Sequence, residues 1–267
     1  MGFRSKLQES IERNNSLLCV GLDPDPARLP AGMTIAEFNR EIVDATRDLV
    51  CAYKPNLAFY EAEGGDGLKA LEDTLSHIPA GIPVIGDAKR GDIGNTARMY
   101  ARSMFDGFGF DAATVNPYLG LDSVEPFTNY KDRQTFLLCR TSNRSATDFQ
   151  DLQCDGRPIY EHVALKALEW NTNGNIGLVV GATYPEELEH IRHLCPSMCF
   201  LVPGVGSQGG DLEQVVTKGT DSNCAGAIIN VSRAVLYASS GADFAQAARA
   251  AASSLRDDIN RHRRPPL

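Results

Sequence analysis

Two aspartates and two lysines dominate the residues of this sequence that could do chemistry. Lys54 ends a short apolar run, and a later run ends in Asp87 and Lys89, with Asp92 three residues further on. Residues two apart on a strand project to the same side, so Asp87 and Lys89 are expected to share a face. Because each carboxylate then has an ammonium neighbour, all four groups can stay ionised in a desolvated pocket. Such a set could stabilise developing negative charge and deliver a proton.

An Asp-x-Lys triplet taken alone is more typical of an internal ion pair. Lys54 at an equivalent strand end, together with Asp92 beyond the turn, favours a functional site instead.

A glycine-rich loop and an arginine indicate a phosphate site. Residues 204–210 include four glycines, and glycine lets backbone amides approach an anion closely. Arg233 follows the next apolar run, and its guanidinium fork suits a phosphate group. In a (β/α)₈ barrel the loops after strands seven and eight frequently form such a site.

Eight short apolar runs must position these residues. They alternate with segments of helical period, which is the pattern of a parallel sheet with crossover helices. The predicted strands are residues 17–22, 51–55, 83–88, 112–116, 135–140, 176–180, 200–203 and 225–231. This count predicts an α/β fold of the (β/α)₈ TIM-barrel type, in one domain spanning residues 1–267. An open doubly wound sheet could use the same alternation with fewer strands.

In a barrel of this kind the active site lies at the carboxyl ends of the strands. Polar residues from at least six predicted strands meet there, which a purely structural protein does not need. Besides the residues above, this placement makes candidate substrate contacts of Asp23, Asn116, Ser142 and Pro203.

Two connecting segments stand out. Residues 142–157 are polar and follow the fifth strand, and a loop of this length is usually a functional lid or mobile. Residues 61–67 contain three glycines and are predicted to be a flexible connection without chemistry.

The bulk composition limits the partners. The net charge of −8 should repel nucleic acid and anionic lipid, so an anionic substrate needs a local cluster of cations. Seven cysteines without a CxxC pair fit a reducing cytoplasm and argue against a disulfide framework or zinc. No apolar run approaches the roughly 18 residues of a membrane span, and the N-terminus reaches polar residues too soon for a signal peptide. It is predicted to form a short amphipathic helix.

These residues resemble the signature of the orotidine 5′-monophosphate decarboxylase family, in its longer second subfamily. The run Asp87-Ala88-Lys89-Arg90-Gly91-Asp92-Ile93-Gly94-Asn95-Thr96 is similar to the main signature. Further blocks at residues 51–56, 140–143, 203–211 and 229–233 follow in family order, covering essentially the whole chain. One departure is Arg144, in a loop where a proline near Asn143 is expected.

The resemblance implies cofactor-free decarboxylation of orotidine 5′-monophosphate to uridine 5′-monophosphate, the last step of de novo pyrimidine synthesis, in a cytoplasmic homodimer. Lys89 would protonate C6 within a charged tetrad completed by Lys54, Asp87 and Asp92. The resemblance further implies that Asp23 contacts the ribose and that Ser142 reads the amide edge of the pyrimidine. In this family three residues reach across a dimer interface into the neighbouring site, and two others bind the phosphate. At matching positions the donated residues are Asp92, Ile93 and Thr96, and the phosphate grips are Gln208 and Arg233.

Three alternatives remain open. A metal-dependent sugar-phosphate decarboxylase of the same superfamily also uses Asp-x-Lys-x-x-Asp and would need Mg²⁺, whereas Ser142 and the Gln208 loop suit a nucleotide. A non-catalytic barrel that binds a phosphate ligand would not need a charged tetrad. A Schiff-base aldolase using Lys89 or Lys54 would be trapped by borohydride with its substrate.

Overall fold

Eight parallel strands form the centre of the computed structural model, which describes residues 2–205 and 211–263. The barrel strands, numbered in chain order, are β1 Leu18–Leu22, β2 Ala52–Pro55, β3 Ile85–Arg90, β4 Ala112–Val115, β5 Gln134–Arg140, β6 Ile176–Val180, β7 Phe200–Pro203 and β8 Ala227–Val231. They pair in the order β2-β1-β8-β7-β6-β5-β4-β3. Parallel bridges from Tyr53 to Val84 and from Asn56 to Asp87 link β2 to β3. The sheet is therefore a nearly closed barrel, and the predicted TIM-barrel fold is confirmed.

The strands are buried on both faces. Every residue of β1, β2, β4, β6 and β8 is buried, because side chains fill the barrel on one side and helices cover the other. Continuous apolar runs are what such strands require.

Helices surround the barrel. They are α1 Phe3–Asn14, α2 Ile35–Thr46, α3 Leu57–Glu61, α4 Gly64–His77, α5 Gly94–Arg102, α6 Leu121–Thr128, α7 Ile159–Trp170, α8 Pro185–Leu194, α9 Leu212–Gly219, α10 Arg233–Leu236 and α11 Phe244–His262. Helix α2 begins with a capping box: Thr34 Oγ1 accepts from the amide of Glu37, and the Glu37 carboxylate accepts from the amide of Thr34. No helix in the described ranges is long and apolar enough to cross a membrane.

Helix α1 packs at the amino-terminal ends of the strands. The ammonium of Lys6 lies 2.7 Å from the carboxylate of Asp111, just before β4, and the ring of Phe3 packs edge-on against Phe136 of β5. The predicted amphipathic N-terminal helix is confirmed, and the carboxyl ends of the strands lie at the opposite end of the barrel.

The predicted flexible connection at residues 61–67 is wrong. Helix α3 ends at Glu61 and helix α4 begins at Gly64, so most of the segment is helical. Gly64 has a positive φ of 61°, which makes the tight junction between the two helices. At Gly67 a side chain would overlap the carbonyl oxygen of Tyr60, so this glycine serves close packing rather than flexibility.

The segment after β5 has local structure of its own. A 3₁₀ turn spans Arg144–Asp148, and a short antiparallel hairpin pairs Gln153–Cys154 with Arg157–Pro158. The polar composition of residues 142–157 therefore corresponds to a folded excursion between β5 and α7.

Candidate active site

A cavity of about 540 Å³ opens at the carboxyl ends of the strands. Each of the eight strands, or the residue directly after it, contributes to the wall. The contributing residues are Asp23, Lys54, Asp87, Lys89, Thr114, Leu138, Ser142, Val179, Leu201, Pro203, Asn230, Ser232 and Arg233.

The carboxylate of Asp87 is the centre of a charged cluster on this wall. Its Oδ2 atom lies 2.8 Å from the ammonium of Lys54, and its Oδ1 atom lies 2.6 Å from the ammonium of Lys89. The side chain of Lys54 is 5% exposed, whereas that of Lys89 is 50% exposed. The structure thus brings three of the four predicted charged residues together and leaves one cation accessible from the cavity.

Both members of the buried pair have shifted pKa values. Burial by itself raises the pKa of Asp87, but the charges of Lys54 and Lys89 outweigh burial and hold that pKa well below its ordinary value. Burial lowers the pKa of Lys54, but Asp87 and Asp23 outweigh it and raise that pKa above its ordinary value. The pair is therefore ionised at neutral pH.

Strand β3 is irregular where it carries this cluster. Gly86 pairs with Ala113 of β4, but the next pair is Arg90 with Val115, so β3 uses four residues where β4 uses two. Within this bulge Lys89 has a positive φ of 47°, which is uncommon for a residue with a β carbon. The shared face of Asp87 and Lys89 therefore arises from a local break in the strand, and not from simple alternation.

Asp23 lies on the β1 side of the cavity. Ser232 Oγ donates to Asp23 Oδ2 at 2.7 Å, and the hydroxyl of Tyr237 donates to the Asp23 carbonyl at 3.2 Å. The other carboxylate oxygen of Asp23 is buried and has no hydrogen-bond partner in the described parts of the chain. Asp23 thus lines the cavity with a carboxylate that Ser232 holds in place.

Part of the predicted phosphate site lies within the residues that the structure describes. Pro203 and Arg233 line the cavity, and Gly204 adopts a φ of 102°. Gln208, with the rest of residues 206–210, lies outside the described residues.

Four predicted site residues are not brought to the cavity. Asp92 Oδ1 accepts a hydrogen bond from the amide of Ile93 at 2.7 Å, and Ile93 and Thr96 are exposed at the start of α5. Asn116 accepts from the amide of Tyr118 at 3.0 Å. Within the described ranges none of Asp92, Ile93, Thr96 and Asn116 lines the cavity.

Several lining residues were not singled out in the sequence. Leu138, Val179 and Leu201 give the cavity an apolar wall, and Thr114 and Asn230 add polar groups. All five lie inside strands. Four of them are apolar or β-branched residues typical of packing, so only their position near a strand end could have signalled them. Asparagine is uncommon in strands, so Asn230 did offer a compositional signal.

A buried arginine anchors the loop that follows β5. Arg140 is 1% exposed, and its guanidinium forms ion pairs with Asp151, at 2.9 Å, and with Glu187 of α8. Beside it, Gln150 Nε2 donates to Thr141 Oγ1, and the amide of Thr141 donates to Gln150 Oε1. These contacts fix the backbone just before Ser142, which lines the cavity.

No group of three or more histidine, cysteine, aspartate or glutamate side chains in residues 2–205 and 211–263 is arranged to hold a metal ion.

Comparison with known proteins identifies relatives along the whole chain. The model of the orotidine 5′-phosphate decarboxylase / HUMPS family matches residues 16–251. A protein of Dehalococcoides mccartyi (strain ATCC BAA-2266 / KCTC 15142 / 195) named orotidine 5′-phosphate decarboxylase is 53% identical over 268 residues, covering 99% of each chain. The solved structure of Leishmania donovani OMP decarboxylase matches with a TM-score of 0.88 at 42% identity, covering 98% of this chain and 99% of that one. That of Leishmania donovani UMP synthase matches with a TM-score of 0.90 at 45% identity, and there the alignment covers 98% of this chain but 57% of the other.

Proposed function

The chain belongs to the orotidine 5′-phosphate decarboxylase family, and on that premise we propose how its own residues remove carbon dioxide from orotidine 5′-monophosphate. The reaction yields uridine 5′-monophosphate, in the pathway of pyrimidine synthesis. The bond between C6 and the carboxylate carbon breaks, its electron pair stays on C6, and a proton replaces the lost group. The carbanion at C6 has no adjacent carbonyl to delocalise it, so the protein must stabilise it electrostatically.

The contrast between the two lysines on Asp87 carries the assignment of the proton donor. The side chain of Lys54 is almost fully buried in the cavity wall, whereas that of Lys89 is half exposed. Lys89 is therefore the more accessible of these two lysines to a ligand in the cavity. It stabilises the negative charge on C6 and then delivers its proton there. The buried Lys54 keeps Asp87 ionised, and Asp87 in turn orients the ammonium of Lys89 and faces the departing carboxylate.

The apolar part of the wall suits the leaving group. Leu138, Val179 and Leu201 line the cavity, and carbon dioxide, once formed, is uncharged. An apolar wall disfavours the substrate carboxylate more than the product, and it keeps the local dielectric low, so that the charge on Lys89 acts strongly. The proposal uses no metal or organic cofactor.

Substrate binding is assigned from the lining residues. Asp23, which lines the cavity, accepts from a ribose hydroxyl, and Ser142 reads the amide edge of the pyrimidine. Arg233 grips the phosphate beside Pro203, with Gln208 as the second grip by its place in the family pattern. For Asn116 the geometry offers no substrate contact, since its side chain caps the turn at Tyr118.

A second copy of the chain completes the site in this proposal. Asp92, Ile93 and Thr96 lie outside their own cavity, so they act in the cavity of a partner. Helices α5 and α6 pack side by side, and a set of exposed apolar side chains lies on them and on the residues just before each of them. The set comprises Ile93 at 55%, Met99 at 55%, Tyr118 at 86%, Leu119 at 50% and Leu121 at 41% exposure. A monomer rarely leaves so many large apolar groups together in water, and a twofold dimer would cover them on both copies. The seven free cysteines are consistent with a cytoplasmic enzyme.

The direct test follows the absorbance of orotidine 5′-monophosphate, which falls as the substrate is consumed, in the presence of EDTA. The wild-type chain should turn over under these conditions. Lys89→Ala should lose activity by many orders of magnitude while still binding the product nucleotide, and Lys69→Ala, which removes an exposed lysine on α4, should behave as wild type. Retained activity in Lys89→Ala would contradict the mechanism. Activity abolished by EDTA would favour the metal-dependent alternative.

A further inference from the structure

The hydroxyl group of Thr114 makes three hydrogen bonds inside the charged cluster. It donates to Asp87 Oδ1 at 3.0 Å and accepts from the backbone amides of Ala88 at 3.1 Å and Lys89 at 2.9 Å. A hydroxyl offers one donor and two acceptor sites, so its bonding capacity is fully used. Thr114 is 1% exposed, and its surroundings leave little room for it to turn.

The position of Thr114 explains why these three bonds exist. It lies on β4 between Ala113 and Val115, opposite the stretch of β3 that bulges out of register. In a regular parallel ladder consecutive amides of a strand donate alternately to backbone carbonyls of the strands on its two sides. Here the side-chain oxygen of Thr114 takes that place for two consecutive amides. The unusual backbone of Lys89, with its φ of 47°, is thereby held in a defined conformation.

We propose that Thr114 is a positioning residue for decarboxylation, which fixes the carboxylate of Asp87 and the backbone of Lys89 relative to each other. The inference rests on the proposed function of Lys89 and adds a residue to which that proposal gives no role. One hydroxyl binds both the group that orients the ammonium and the main chain from which the ammonium extends. Without it, Asp87 Oδ1 is held by Lys89 alone, and the two can move together away from the reacting carbon.

The substitution Thr114→Val tests this role, because valine keeps the shape of threonine and removes the hydroxyl. We expect kcat to fall by about 100-fold, the size of effect that a misplacement near 1 Å can produce. The KM for the nucleotide should change little, since Arg233 and Ser142 still hold it. Thr114→Ser retains the hydroxyl and should recover most of the activity.

A matched control is available on the neighbouring strand. Thr135 of β5 is also fully buried, but its hydroxyl has no hydrogen-bond partner in the described part of the chain. Thr135→Val makes the same chemical change away from the cluster, and its kcat should equal that of wild type.

The pH profile separates positioning from packing. A hydrogen bond to an ionised carboxylate lowers its pKa, so its loss in Thr114→Val should move the acid limb of kcat to higher pH. A role in packing alone would reduce the yield of folded protein but leave the profile and the kcat per folded site unchanged, and that result would overturn the inference. Folded sites are counted by titration with uridine 5′-monophosphate.

Two further outcomes are distinguishable. If wild type does not decarboxylate the nucleotide, the proposed function fails, whereas a fully active Thr114→Val refutes only the role of Thr114. If Thr114→Val yields too little folded protein, Thr114→Cys keeps a weak donor and acceptor in the same place. Its kcat should lie well below that of Thr114→Ser, and full activity in Thr114→Cys would also refute the proposal.

Discussion

The ammonium of Lys54 lies 2.8 Å from the carboxylate of Asp87, and the side chain of Lys54 is 5% exposed. The other carboxylate oxygen binds Lys89, whose side chain is half exposed. The two lysines have the same chemistry but different surroundings. One is a fixed structural charge, and the other is available to a bound molecule.

Removing Lys54 should destabilise the fold through Asp87. Lys54→Met leaves a buried carboxylate with one half-exposed cation, and breaking a buried pair in this way costs about 3 kcal/mol or more in the free energy of unfolding. The double variant Lys54→Met/Asp87→Leu, which removes both charges, should recover most of that loss. Urea unfolding of the three proteins measures it. A double variant no more stable than Lys54→Met would contradict the interpretation.

The lowered pKa of Asp87 predicts how this stabilisation depends on acid. A carboxyl whose pKa is lower in the folded chain stabilises the fold fully above its ordinary pKa of about 3.9. The contribution is lost as the pH falls below that value toward the lowered pKa of the folded state. The difference in unfolding free energy between wild type and Asp87→Asn should therefore be constant from neutral pH to about pH 5 and shrink below about pH 4. A difference that already disappears between pH 7 and 5 would contradict the assigned direction.

Arg233 should distinguish a phosphorylated ligand from one without phosphate. A charge-assisted hydrogen bond contributes about 1.5–3 kcal/mol, so Arg233→Ala should raise KM for the nucleotide by roughly 10- to 100-fold. Turnover of the phosphate-free nucleoside should hardly change, because it never used the guanidinium. Arg256→Ala, which removes an arginine paired with Asp257 on α11, is the control and should affect neither. Equal losses on both substrates would argue against a phosphate grip.

Subunit mixing tests whether Asp92 acts in the cavity of a partner. In a twofold dimer formed from Lys89→Ala and Asp92→Ala chains, one cavity carries both defects and the other carries none. Random exchange should restore about a quarter of the wild-type activity to a mixture of two inactive proteins, since half the dimers are mixed and each has one intact site. The mixture is assayed after exchange, and each variant alone serves as control. Absence of recovery in dimers shown to be mixed would place Asp92 outside the shared site.

The barrel strands could be predicted closely because burial on both faces leaves a strong trace in the sequence. Each predicted strand overlaps an observed one, and all ends agree within two residues. The capping box of Thr34 and Glu37 is equally local, because a threonine followed three residues later by a glutamate is its sequence signature. The prediction of a flexible connection at residues 61–67 was wrong because glycine is common in flexible segments. Here Gly67 is needed for close contact with Tyr60.

The arrangement of the site depends on contacts that sequence spacing does not reveal. Thr114 and Lys89 are 25 residues apart, and their hydrogen bond exists because β3 bulges against β4. A threonine inside a strand is typical of packing, so its role was not apparent. Asp92 lies three residues after Lys89, but the chain turns away after Arg90, and nearness in sequence did not place its carboxylate in the same cavity.

The hairpin after β5 carries a cysteine that is suitable for fluorescent labelling. Cys154 on that hairpin is exposed, whereas the other six cysteines are buried or half-buried. Burial raises the pKa of Cys19 and Cys199 to about 12, which suppresses the reactive thiolate form. A thiol-specific fluorophore should therefore attach at Cys154 without any substitution, and its emission would report on the segment that Arg140 anchors as nucleotide enters and leaves.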